Sequence, residues 1–379
     1  MTALAIANGA VITPDGVLTD GHIVVDDGRI VAVGPGPAAA TDTAPIDAGG
    51  GWITPGFIDV QINGAHGIDV TTQPERMGEL GAALAQYGVT AFVPTVITCP
   101  PSMRAAALAA WRDRVPSNGA VPLGLHLEGP MLSAARKGAH PAAHLTPPSA
   151  AVIDEWAPET GVIVATIAPE LPGAIDLIAT LAARGVVVSI GHTDADAATF
   201  ALARAAGARY VTHLFNAMRP FSHRDPGPIG AALADADVIV GLICDGIHVD
   251  PVAVAMAWRA LGPDRLNLVT DAVAALGAHD EPVSLGSVGV TVGSDGIRNA
   301  DGVLAGSNLS LDAAVRNLVA FTGCTVAEAV ATVTSTPARL LRLADRGRLV
   351  PGARADVTVL DGDLHVVATI VGGEVAWRS

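Results

Sequence analysis

The chain has 379 residues, half of them hydrophobic and 16% charged, enough to bury a large core in one barrel-sized domain plus a small appended unit. A formal net charge of −15 excludes the basic stripe that a nucleic-acid backbone requires, and Lys137, the only lysine, leaves no second lysine for Schiff-base chemistry or a bridging carbamate. Aromatic residues at 3% give few platforms for stacking, which argues against a long polysaccharide groove and for a small substrate.

The first predicted unit, residues 1–55, alternates short strands with turns: ALAIANGAVITP, then HIVVDDGRIVAVG, with DG and GP pairs supplying the reversals. MTALAIANGA lacks the basic region and long apolar core of a secretory leader, so the expected location is the cytoplasm. No apolar run approaches the roughly 20 residues of a membrane-spanning helix, so no membrane partner is expected. From Gly56 to about Asp345 the pattern changes to strand then helix. Eight apolar, β-rich runs begin at Phe57, Val89, Val121, Val162, Val186, Arg209, Val238 and Leu266. Between them lie Ala-rich helical stretches such as ERMGELGAALAQYG and ADAATFALARAAG. Eight parallel strands with helical crossovers predict a (β/α)8 TIM barrel over residues 56–345.

A Gly-rich, β-like insertion is expected from about Val283 to Leu304, followed by two helices, LSLDAAVRNLVAFTG and TVAEAVATVTSTPARLLRL. Residues 346–379 return to β composition, so the two chain ends are expected to form one small β-sandwich domain. Cys99, Cys244 and Cys324 lie far apart without paired metal spacing, which suits reduced packing thiols.

Four ionisable residues stand where predicted barrel strands end. Glu128 follows VPLGLHL, His192 follows GVVVSIG, His213 follows ARYVT and Asp271 closes LNLVT. One carboxylate and two imidazoles from three strand ends form the donor set of a catalytic divalent-metal site. A single Glu after a strand could equally cap a loop. Four such groups on one barrel face would carry a large desolvation cost unless a cation or substrate compensated. His126, two residues before Glu128, lies on the same side of its strand but one layer deeper, and reads as a satisfied core histidine or as a group supporting the ligands from behind.

PGFIDVQIN after the N-terminal strands, with PGARADVTVLD near the end, resembles the amidohydrolase superfamily, in which a metal-bearing barrel carries a split β-sandwich. HLEGP, KGAH, GHTDA, THLFNAM, DGIH, VTDA and LAGSNL are together similar to its deacetylases of phosphorylated amino sugars. The resemblance implies hydrolysis of N-acetylglucosamine 6-phosphate to glucosamine 6-phosphate and acetate. It implies Glu128, His192 and His213 on one divalent ion, Zn2+ ahead of Fe2+. An ion of this kind lowers the pKa of water toward about 7. Asp271 is then the general base that becomes the acid, and His140 a donor to the oxyanion. The phosphate would meet Arg224, His248 and the Asn216–Ala217 pair, with Asp245, Gly246 and Ile247 of DGIH beside it. Ala139, Leu304, Ala305 and Gly306 would line the sugar pocket.

The chain departs from the superfamily at one place. Where many members carry His-x-His on the first strand, this one has Gln61 and Asn63, neutral amides that are poor ligands for either ion, which argues for one metal. His66, just beyond, could approach a second, weaker ion, or be simply solvated. A homodimer is implied, in which a loop of the neighbouring subunit can complete the phosphate pocket. Two other readings remain at this point. An amidohydrolase acting on another N-acyl sugar or a cyclic amide would give no reason for Arg224 and His248, and a non-catalytic scaffold would predict loss of a ligand or of Asp271.

Overall fold

The computed structural model describes residues 4–38, 45–114, 118–278 and 283–379; residues 1–3, where the first predicted strand begins, and 39–44 of the first predicted unit lie outside the described residues. The barrel strands are Phe57–Ile62, Val89–Ile97, Leu125–Glu128, Val162–Ile167, Val187–Ile190, Tyr210–Val211, Ile239–Ile243 and Leu266–Val269. Each pairs in parallel with the next. Their near-continuous Val and Ile runs are buried on both faces, as strands covered outside by helices and filled inside by side chains must be. The ring is closed between the eighth strand and the first by single bonds. The Asp271 amide donates to Gln61 O at 2.9 Å, and the Asn63 amide to Ala272 O at 2.8 Å.

Two predicted elements differ in detail. The third strand is interrupted, with Val121–Pro122 separate from Leu125–Glu128. Pro122 has no N–H to give a ladder, and Gly124 packs so close to its neighbour that a Cβ there would meet Ile163 at 2.6 Å. The last predicted helix splits into Val326–Ala331 and Ser335–Leu340. Thr332 and Thr334 turn their hydroxyls back onto Ala329 O and Val330 O, at 2.6 and 2.7 Å, competing with the helical ladder.

The chain ends share one eight-stranded sheet, joined where Val357–Leu360 runs antiparallel to Trp52–Pro55. It encloses its own core around Ile6, Val11, Ile23, Ile53, Val357 and Ile370. The insertion is a three-stranded antiparallel sheet, Val283–Leu285, Val288–Gly293 and Gly296–Asn299. Its Leu285 and Ile297 pack with Ile97, Ala139 and Val273, so it sits at the C-terminal mouth of the barrel. No helix among the described residues is long and apolar enough to cross a membrane.

Candidate active site

Glu128 ends its strand, while His192, His213 and Asp271 lie just beyond theirs in the left-handed region, with φ of 49°, 28° and 48°. Such conformations are uncommon for residues other than glycine and persist only where surrounding structure over-determines them. The consequence here is convergence. Glu128 Oε1 lies 3.2 Å from His192 Nε2 and 3.1 Å from His213 Nε2, and the two Nε2 atoms are 3.1 Å apart. Three ligands of a tetrahedral ion with bonds near 2.0–2.1 Å would be about 3.3–3.4 Å from each other. The triangle is within a few tenths of an ångström of that.

Hydrogen bonding behind the triangle sets the tautomer. His192 Nδ1 lies 2.9 Å from the Arg136 carbonyl, to which it can only donate, so Nε2 presents a lone pair. Burial, helped by nearby His140, pushes His192 down to about 4 and keeps it neutral. For His213, burial opposes the charged form, but the hydrogen bond and charge of Glu128 outweigh it and raise its pKa. Burial likewise works against the Glu128 carboxylate, yet hydrogen bonds from His140, His192 and His213 hold it well below the usual range. A carboxylate and two imidazole nitrogens aimed at one point suit a divalent ion in number, type and spacing.

His140 faces the other oxygen of Glu128, its Nε2 3.5 Å from Oε2. Its Nδ1 accepts from the Thr98 amide at 3.3 Å, which leaves the proton on Nε2, directed toward the cavity. Asp271 Oδ1 accepts from Asn63 Nδ2 at 2.8 Å and from Gln61 Nε2 at 3.1 Å. The same Gln61 Nε2 lies 3.2 Å from Glu128 Oε1. The Gln61 NH2 thus bridges the two carboxylates and that of Asn63 holds Asp271, while Gln61 Oε1 and Asn63 Oδ1 have no hydrogen-bond partner among the described residues. Burial and the Glu128 charge raise the pKa of Asp271.

A cavity of about 400 Å³ covers this group. Of the predicted residues, Glu128, Ala139, His140, His192, His213, Asn216, Ala217, His248, Asp271, Leu304, Ala305 and Gly306 line it, together with Asn63. Others do not. Gln61 is fully buried behind it, Asp245 braces His248 Nδ1 at 2.7 Å, and Gly246 and exposed Ile247 flank that pair. Arg224 is exposed on the loop beyond the sixth strand, outside the lining. His66 lies 3.1 Å from the Tyr87 hydroxyl and 2.7 Å from Gln86 Nε2, also outside the lining. Sequence reasoning missed Thr98, Arg136 and Arg298. Arg136 and Arg298 are the cavity's arginines, paired with Asp194 and Asp295 at 2.8 and 3.0 Å. Arg136 sits directly before the KGAH motif, a cue that was available; Arg298 lies in the insertion, where no local pattern marks it.

Residues 52–376 match the model of the amidohydrolase family. An N-acetylglucosamine-6-phosphate deacetylase of Rattus norvegicus is 41% identical over 355 residues, covering 88% of this chain and 85% of the relative. An N-acetylgalactosamine-6-phosphate deacetylase of Escherichia coli O157:H7 is 37% identical over 374 residues, covering 96% and 97%. The structure of a mutant N-acetyl-D-glucosamine-6-phosphate deacetylase of Mycobacterium smegmatis, in complex with N-acetyl-D-glucosamine-6-phosphate, superposes with a TM-score of 0.90 at 35% identity, covering 99% of this chain and 98% of that one. The chain belongs to the amidohydrolase family, in the branch of the N-acetylglucosamine-6-phosphate deacetylases.

Proposed function

We propose that Glu128, His192 and His213 hold one divalent ion per subunit, Zn2+ first and Fe2+ second, and that Asp271 and His140 act with it on the substrate's acetamide. The reaction is hydrolysis of N-acetyl-D-glucosamine 6-phosphate to D-glucosamine 6-phosphate and acetate. The observation carrying the residue assignment is the 3.1–3.2 Å triangle, with Asp271 in the same cavity. An ion bound there supplies Lewis-acid polarisation and makes water a nucleophile near neutral pH.

The protein groups do the rest. Asp271, anchored on one oxygen by Asn63 and Gln61, takes a proton from the attacking water and returns it to the departing amine. His140 Nε2–H donates to the amide oxygen as charge develops there. His248, held by Asp245, Asn216 and the Ala217 backbone would receive the phosphate, with Arg224 reaching in from the exposed loop. A homodimer fits exposed Phe221 near Arg224, exposed Ile247 within DGIH, and exposed Val252 and Met256 beyond it, apolar side chains that an interface would cover. Location in the cytoplasm is supported by Cys99 and Cys244, buried free thiols suited to a reducing compartment.

The test is acetate release by metal-stripped and zinc- or iron-loaded protein from N-acetylglucosamine 6-phosphate, its unphosphorylated form and the galactosamine epimer. Metal-dependent turnover of the first substrate is expected. Equal kcat/KM on the unphosphorylated sugar would remove the phosphate site, and full activity after stripping would remove the metal's role. Preference for the epimer would shift the substrate to that of the Escherichia coli relative.

A further inference from the structure

Behind the ligand triangle lies a set of fully buried polar side chains that the chemistry above does not use. His126 Nε2 is 2.7 Å from Thr166 Oγ1, which is 2.7 Å from Thr212 Oγ1, which is 2.5 Å from Ser189 Oγ. His126 Nδ1 is 3.4 Å from Thr95 Oγ1. All five are 0% exposed. Their placement follows the ligands. His126 is two residues before Glu128 on the third strand, Ser189 three before His192 on the fifth, and Thr212 immediately before His213. Thr166, on the fourth strand, joins His126 on the third to Thr212 at the end of the sixth, and Thr212 in turn meets Ser189 on the fifth.

Proton counting gives the chain a direction. Each hydroxyl has one proton, and Ser189 Oγ has Thr212 as its only hydrogen-bond partner among the described residues. Donation running Ser189 to Thr212 to Thr166 to His126 Nε2, with His126 Nδ1–H donating to Thr95, uses every proton. The reverse order strands the Ser189 proton in the core, at a desolvation cost.

We infer that Ser189, Thr212, Thr166 and His126 are a positioning network for the metal ligands, locking the strands that carry Glu128, His192 and His213 into the register that closes the triangle. The inference rests on the ligand assignment proposed above. Outer hydrogen-bond partners that orient metal ligands typically change affinity by about 10–100-fold. Loss of one hydroxyl in a directional chain should act on all three ligands.

The test uses the full chain and Zn2+, with affinity measured by competition against a chelator and apoprotein melting measured alongside. Thr166→Val, close in volume, is expected to weaken zinc by at least tenfold, and Thr166→Ser to restore it to within about threefold. A packing role alone would lower apoprotein stability and leave zinc affinity unmoved; that outcome, or equal weakening by the serine variant, overturns the network. Should Thr166→Val fail to fold, Ser189→Ala removes only the terminal donor, and unchanged affinity there also overturns it. His213→Ala separates the two readings. If the wild-type protein's zinc survives that change, the ligand assignment falls and the network with it; if zinc is lost there but normal in Thr166→Val, only the network falls.

Discussion

His192 and His213 present their Nε2 atoms to each other at 3.1 Å, with ring centroids 4.9 Å apart and the planes at 76°. Since His192 donates from Nδ1 to Arg136 O, its facing nitrogen carries a lone pair that a divalent ion held between the rings would accept. Removal of the ion should therefore destabilise the fold. Zinc at about a hundredfold over its dissociation constant adds roughly 2.7 kcal/mol, seen as a melting temperature a few degrees above that of chelator-treated protein. Identical melting curves would contradict the site.

Asp271→Asn keeps an oxygen that Asn63 and Gln61 can bond but cannot accept a proton from water. We expect kcat to fall by about 10²–10⁴ with zinc content unchanged and KM little altered. Turnover within a few-fold of wild type would take the base role away from Asp271.

Asn63 stabilises the ionised form of Asp271 through its 2.8 Å bond, in opposition to burial and the Glu128 charge. Asn63→Ala should raise the pKa of Asp271 further. As the base proposed for this reaction, Asp271 would work in its deprotonated form, so the acid limb of kcat/KM should move up by roughly one pH unit, as loss of a hydrogen bond to a charged group predicts. A downward shift, or none, would show that Asn63 does not tune this carboxylate.

The barrel and the convergence of Glu128, His192, His213 and Asp271 were legible because β-branched runs stop abruptly at these residues, and a barrel gathers strand ends at one face. Composition also revealed that both chain ends belong to one β unit. The sequence does not display what acts across strands. Gln61 and Asn63 read as lost ligands, yet spatially they are donors, Gln61 to both Glu128 and Asp271 and Asn63 to Asp271. Thr98, which fixes the His140 tautomer, comes from a different strand end, 42 residues away. The helix break at Thr332–Thr334 was hidden by a good apolar repeat, because the competing hydroxyl bonds are a local effect weaker than the pattern around them.

Arg224 is exposed and outside the cavity lining, so any effect on substrate must come from the mouth. Arg224→Ala is expected to raise KM for the phosphorylated sugar about tenfold, the size of one lost charge-assisted contact, with kcat near wild type. An equal effect on the unphosphorylated sugar would count against a phosphate contact.

Asp59 offers a test independent of turnover. It is fully buried on the first barrel strand, accepting from the Thr270 hydroxyl at 2.6 Å and the Gln61 amide at 3.2 Å. Burial dominates these bonds and pushes its pKa up to about 7. In the unfolded chain it would titrate near 3.9. Between those values the folded protein holds a proton that the unfolded chain has released, so this contribution to stability is complete below about pH 4 and is lost as pH rises through 7. Asp59→Asn abolishes the linkage. Relative to the variant, wild type should lose up to about 1.4 kcal/mol per pH unit across that window, measured by urea unfolding at pH 5, 6.5 and 8. Parallel stability profiles for the two proteins would mean that Asp59 is already ionised in the fold, held by Thr270 and the Gln61 amide against its burial.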